Sequence, residues 1–215
     1  MKRFRALLYR NTILYWQYVR VRWILISAAT VVLLTMYRLR QYQISTVFFG
    51  VVQRPGSFDL PMTWLFMVFS PLLVVGGSVH SLVHHDYPPV STTPFSIYLG
   101  SIMVLAGLTT FVMWTVWVLL IGNWHSVQFS LTILVILCVL NWGYGIVQIF
   151  VSPILAQLIF LALLLACIAF NDFPFLSQLM FSRFAAREWV TTVGQLVITC
   201  AGLLVLARQT YRLDF

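Results

Sequence analysis

Read from its start, the chain alternates long apolar runs with short stretches that hold almost every charge. The runs cover residues 23–37, 62–83, 95–121, 127–150, 153–170 and 189–207. A helix needs about 20 residues to cross hydrocarbon, so the pattern predicts six transmembrane helices, the first of them short. Arg22 and Arg38 bracket that first run, and their heads must snorkel toward water or the bilayer must thin around them. No charge separates the fourth run from the fifth. Pro153 and the combined length predict a tight turn between two helices there, with Val151 and Ser152 just before the proline. In the fourth run Asn141, Gly143 and Gly145 permit close backbone approach or a kink.

Residues 1–22 carry a different pattern. Phe4, Leu7, Leu8, Leu14, Tyr15 and Tyr18 share one side of a helical wheel, while Arg3, Arg5, Arg10 and Gln17 lie off it. Tyr9, Ile13 and Trp16 blur the opposite face, so the amphipathicity is moderate. Charges precede any long apolar run and no small-residue cleavage pattern follows, which argues against a signal peptide. The expectation is an interfacial helix lying at headgroup level, basic side toward anionic lipid, leading into the first span.

Composition sets the solvent. Only 8% of residues are charged against 61% hydrophobic, with a mean hydropathy of +0.93; soluble domains carry about a quarter charged residues. Lipid must therefore cover most of the surface. Thirteen Lys/Arg outnumber five Asp/Glu. Because the arginines flank apolar runs, headgroups and topology account for the excess better than nucleic acid does. Cys138, Cys167 and Cys200 all fall inside apolar runs and show no metal spacing, so they read as small buried hydrophobes. Trp16, Trp23, Trp64, Trp124, Trp142 and Trp189 fall mostly near predicted span ends, where interface anchors belong.

Charge also sets orientation. With six spans both termini share a side, which then holds Lys2, Arg3, Arg5, Arg10, Arg20, Arg22, Arg208 and Arg212. The opposite side holds Arg38, Arg40, Arg54, Arg183 and Arg187. The excess places both termini in the cytoplasm of a multi-pass plasma-membrane protein. The loops 38–60 and 171–188 then face outward, and FPFLSQLMFSRF in the second is apolar enough for short helices that dip into the outer interface.

The chemistry-bearing residues gather in HSLVHHDYPPVSTTPFS, residues 80–96, which contains three of the four histidines. His80 and His84 are four apart, hence on one helical face, and could share a metal; His80 with His125 is a thin match to a haem pair. No carboxylate or cysteine completes a ligand set on that face, so interfacial histidines at a helix end is the plainer reading. There is no GxxxxGK[ST] loop and no HExxH. Asp59, Asp86, Asp172, Glu188 and Asp214 all fall in loops or at ends, so the spans lack the buried carboxylate that proton- or sodium-coupled carriers use. The chain is not expected to be an enzyme. The prolines of HHDYPP end the second helix, and Thr92 or Thr93 can cap the third, with Pro94 near its first position.

In this order of elements the sequence resembles the membrane subunits of ABC-2-type (type V) ABC transporters. It matches in the basic "elbow" helix before span one, the STTPFSIYLGS element before span three, the apolar FPFLSQLMFSRF between spans five and six, and the basic LARQTYRLDF end. The resemblance covers the whole chain but no single motif is specific. It departs where many members carry an acidic residue and a Gly-containing stretch, which His84, His85, Asp86, Tyr87, Pro88 and Pro89 replace here. It implies a permease half that pairs with a second copy or a homologous subunit and borrows ATP hydrolysis from separate cytoplasmic ATPase subunits, which would bind the ATP and Mg. The coupling surface would be His84, His85, Asp86, Tyr87, Pro88, Pro89, Thr92, Thr93 and Pro94. The translocation path would be lined by Ser70, Ser78, His80 and Gln157, unless these serve as interhelical hydrogen bonds. The cargo would be an amphipathic peptide, antibiotic or lipid-like molecule. The alternatives are a non-transporting assembly or immunity protein, and a haem or metal protein using His80, His84 and His125.

Overall fold

A computed structural model describes residues 2–40, 44–54, 58–87, 94–121, 126–173 and 175–184. The sixth apolar run lies outside them, as do Pro88, Pro89, Thr92, Thr93, Trp124, His125 and Trp189. Among the described residues every regular element is helical. The long ones are α1 (Lys2–Leu39), α2 (Met62–Val75) continued by α3 (Ser78–Ser81), α4 (Phe95–Ile121), α5 (Val127–Phe150) and α6 (Pro153–Ala169). Four stretches, Arg5–Leu39, Met62–Asp86, Phe95–Ile121 and Val127–Phe150, are long and apolar enough to cross a bilayer, which marks this as a membrane protein.

The N-terminal segment and the first apolar run form a single helix. No break divides an interfacial helix from a first span at Arg22; α1 runs straight through. Leu7, Asn11, Tyr15, Val19, Thr30 and Leu34 are buried along it, with Arg22 and Ile26 half-buried between them, at the spacing of one helical seam. The wheel drawn on apolar residues alone caught Leu7 and Tyr15 but not the rest of this seam, three of whose members, Asn11, Arg22 and Thr30, are polar. Asn11 Nδ2 donates to Ser101 Oγ at 2.7 Å, and the Tyr15 hydroxyl pairs with Thr109 Oγ1 at 2.9 Å. Such bonds replace water and let the N-terminal half of α1 join the bundle.

Pair contacts give the topology. Arg10 meets Asp86 and Tyr37 meets Thr63, so α1 is antiparallel to α2 and α3, whereas the Asn11–Ser101 and Tyr15–Thr109 pairs make it parallel to α4. Antiparallel α5 is tied to α4 by Asn141 Nδ2 to Thr110 Oγ1 (2.7 Å), Trp142 Nε1 to the Met103 carbonyl (3.0 Å) and Trp114 Nε1 to the Ser130 carbonyl (2.9 Å). The expected close approach in NWGYG is present: a methyl at Gly145 would lie 3.1 Å from Met103 Cε. The expected turn between α5 and α6 is present too, with the Ser152 side chain capping α6 and Pro153 opening it.

At the end of the bundle opposite Asp86, FPFLSQLMFSRF forms two 3-10 turns, Leu176–Leu179 and Phe181–Arg183. Leu176, Leu179 and Met180 are buried, and Phe129 packs against Phe181 and Phe184. Arg183 ties this cover down. Its guanidinium donates to the carbonyls of Val51 (2.8 Å), Cys167 (2.6 Å), Phe170 (3.0 Å) and Ile168 (3.0 Å), closing the end of α6. Burial lowers its basicity below the usual arginine value, and the nearby Cys167 and Asp172 oppose that change. Trp64 is not an interface anchor: it is buried and its Nε1 donates to the Leu179 carbonyl at 2.9 Å. Trp64→Phe keeps the ring contacts but orphans that carbonyl, and should cost about 1–3 kcal/mol, read as a lower thermal midpoint in detergent.

Candidate functional site

Two places collect polar groups. The first is the end of α3, where the chain passes into a π-helical turn, Leu82–Asp86. A π turn leaves carbonyls out of register, and side chains from other helices reach them. The Tyr98 hydroxyl donates to the Leu82 carbonyl at 2.7 Å, and Arg10 Nη2 donates to the Asp86 carbonyl at 2.9 Å. The Tyr18 hydroxyl donates to Asp86 Oδ2 at 3.1 Å. Tyr87 packs at a tilt against Tyr98 and meets Phe95 edge-on. His85 is exposed. Pro94 directly precedes α4, its carbonyl accepting from the Ile97 and Tyr98 amides.

The second place is the junction of α2 and α3. Gly76 has φ +47 and ψ −132, a conformation open to glycine, and it interrupts the helix. Gln148 of α5 repairs the interruption: its Nε2 donates to the Gly76 carbonyl at 2.6 Å and its Oε1 accepts from the His80 amide at 3.3 Å. The Gln148 carbonyl is 2.9 Å from His80 Nδ1. A carbonyl only accepts, so His80 carries its proton on Nδ1. The His80 and His84 rings meet at a tilt with centroids 4.3 Å apart, and among the described residues no third His, Cys, Asp or Glu joins them in a metal-binding group.

Arg22 reaches this junction from α1. Its guanidinium lies over Gly76, where an added methyl would overlap it, and its Nη2 donates to the Tyr18 carbonyl at 2.7 Å. Gly76 is about 15 Å from the Asp86 end by helical rise, so the charge sits deep in the bundle. An arginine at the bilayer centre is unfavourable by about 3 kcal/mol unless it is compensated. Tyr15 lies two turns before Arg22 on the same face of α1, and Tyr144 is near enough to act on its charge. The hydroxyls of Tyr144 and Ser78 are buried without a hydrogen-bond partner among the described residues, and Gln157 lies beside Tyr144.

Of the four residues the sequence set along a path, Ser78, His80 and Gln157 do come together here. Ser70 does not: its hydroxyl returns to the Met67 carbonyl one turn back at 2.8 Å. Sequence reasoning missed Arg22, which it assigned to the headgroups, and Tyr144 and Gln148, whose signal was only their polarity inside the fourth run. No family model, curated protein or solved structure matches the chain.

Proposed function

We propose that this chain is the permease subunit of an ATP-driven, ABC-2-type exporter of the plasma membrane, coupled to separate cytoplasmic ATPase subunits that bind ATP and Mg and paired with a second permease subunit. The observation that carries the reading is the construction of the His84–Tyr87 end. Arg10 and Tyr18 hold it to α1, and Tyr87 wedges it against α4, so a push there moves three helices together. The Gly76 interruption separates that stiff end from α2. Polar groups used in this way transmit force and leave the chemistry to a partner.

The test is purification of the tagged chain with its partners into nanodiscs, followed by ATP hydrolysis. The expected complex contains a subunit with a phosphate-binding loop. Replacing Tyr87–Pro89 with Gly/Ser should lower hydrolysis to the rate of the isolated ATPase while membrane insertion is unchanged. A complex without such a subunit, or full coupling in that variant, would refute the reading.

A further inference from the structure

The junction beneath Arg22 is rich in donors and short of acceptors. A guanidinium offers five N–H groups, and the hydrogen bond it makes uses Nη2, on Tyr18. The buried hydroxyls of Ser78 and Tyr144 can each donate one more and, among the described residues, make no hydrogen bond of ordinary length. Gln148 and Gln157 lie next to the Tyr144 hydroxyl, and the Gln148 carboxamide is already engaged with Gly76 and His80. Among the described residues no carboxylate acts on Arg22. An intramembrane arginine without a counter-charge marks a place where a negative group arrives.

A second, independent feature adjoins it. A groove of about 180 Å³ runs between α1 and α4, lined by Tyr15, Trp16, Trp23, Leu105, Leu108 and Val112, and almost wholly apolar. It opens sideways from the bundle. Tyr15 and Val19 line it and lie two turns and one turn before Arg22 on the same face of α1, so the groove and the root of the Arg22 side chain adjoin along that helix. A small inorganic anion would have no use for the groove, and a neutral lipid would have none for the arginine.

We infer that the chain binds an anionic amphiphile, with a carboxylate or phosphate head on Arg22, Ser78 and Tyr144 and its hydrocarbon tail in the α1–α4 groove. Under the exporter reading this ligand is the cargo, and that clause alone rests on the proposed function. Binding itself needs no ATPase.

The experiment follows the thermal midpoint of the purified full chain in a neutral detergent by intrinsic fluorescence. It is titrated with decyl phosphate, with decanol and inorganic phosphate as parallel arms. Decyl phosphate should raise the midpoint saturably, with half-saturation about tenfold weaker in Arg22→Gln, the scale of one lost charged hydrogen bond, and also weaker in Leu108→Trp, which fills the groove. Tyr144→Phe keeps the ring and deletes an unbonded hydroxyl. It should weaken decyl phosphate binding while leaving the ligand-free midpoint unchanged or higher, so it carries the test should Arg22→Gln fail to fold. Three results would overturn the inference: an unaltered response in the variants, an equal response to decanol, or inorganic phosphate alone reproducing the effect. A chain that binds decyl phosphate but recruits no ATPase sinks only the exporter reading; one that couples to an ATPase but ignores decyl phosphate sinks only this one.

Discussion

Gly76→Ala is expected to lose about 3–5 kcal/mol of stability, from a disfavoured backbone conformation and a lost charged hydrogen bond. The backbone contribution arises because φ +47 with ψ −132 is not a conformation an alanine adopts without strain. The second arises because the new methyl would occupy the guanidinium's position and drive Arg22 off the Tyr18 carbonyl. The two separate in a double variant: adding Arg22→Ala should recover the steric loss and leave the backbone strain. Gly77→Ala is the comparison without backbone strain: its φ of −86 suits any residue, and its only cost is a methyl 3.1 Å from the Pro153 ring, which must give slightly. Folded fraction on denaturant titration in detergent measures all three. Equal stability of Gly76→Ala and Gly77→Ala would contradict the conformation assigned to the junction.

Arg183→Gln is expected to be similarly severe. One side chain satisfies four carbonyls drawn from the end of α6 and from the segment after α1. Glutamine can reach at most two of them with its amide hydrogens. The loss should be about 3–5 kcal/mol, less than the sum of four charged bonds because the carbonyls can rearrange toward water. It should be local at first: hydrogen exchange should rise in Leu176–Leu179 and at Phe170 before the α4–α5 pair responds. Uniform exchange across the bundle would show that the cover is not a separate unit.

Much of the helical layout was legible in apolar run length, because a bilayer demands it. The limits of α4 and α5 agree with the runs at 95–121 and 127–150, and Ser152 and Pro153 announced α6. What run length cannot show is depth. Arg22 looked like a boundary because charges end spans on average, yet Tyr15, Tyr18 and Gly76 give it a place inside. Asn11 was invisible for the same reason, since its solvent is the Ser101 hydroxyl on a helix ninety residues later. The histidines were legible as a cluster but not in their roles. His80 is fixed by Gln148, a partner that only the packing of α3 on α5 supplies.

The continuity of α1 has a mechanical corollary. A helix without a joint tilts as a rod, and from Tyr15 to Tyr37 the rod is about 33 Å long. A tilt of about 5° around the Tyr15–Thr109 contact would therefore swing the far end by about 3 Å, the length of the Tyr37–Thr63 hydrogen bond itself. Such a helix would act as a lever, and a small displacement at Arg10 would be felt at Tyr37.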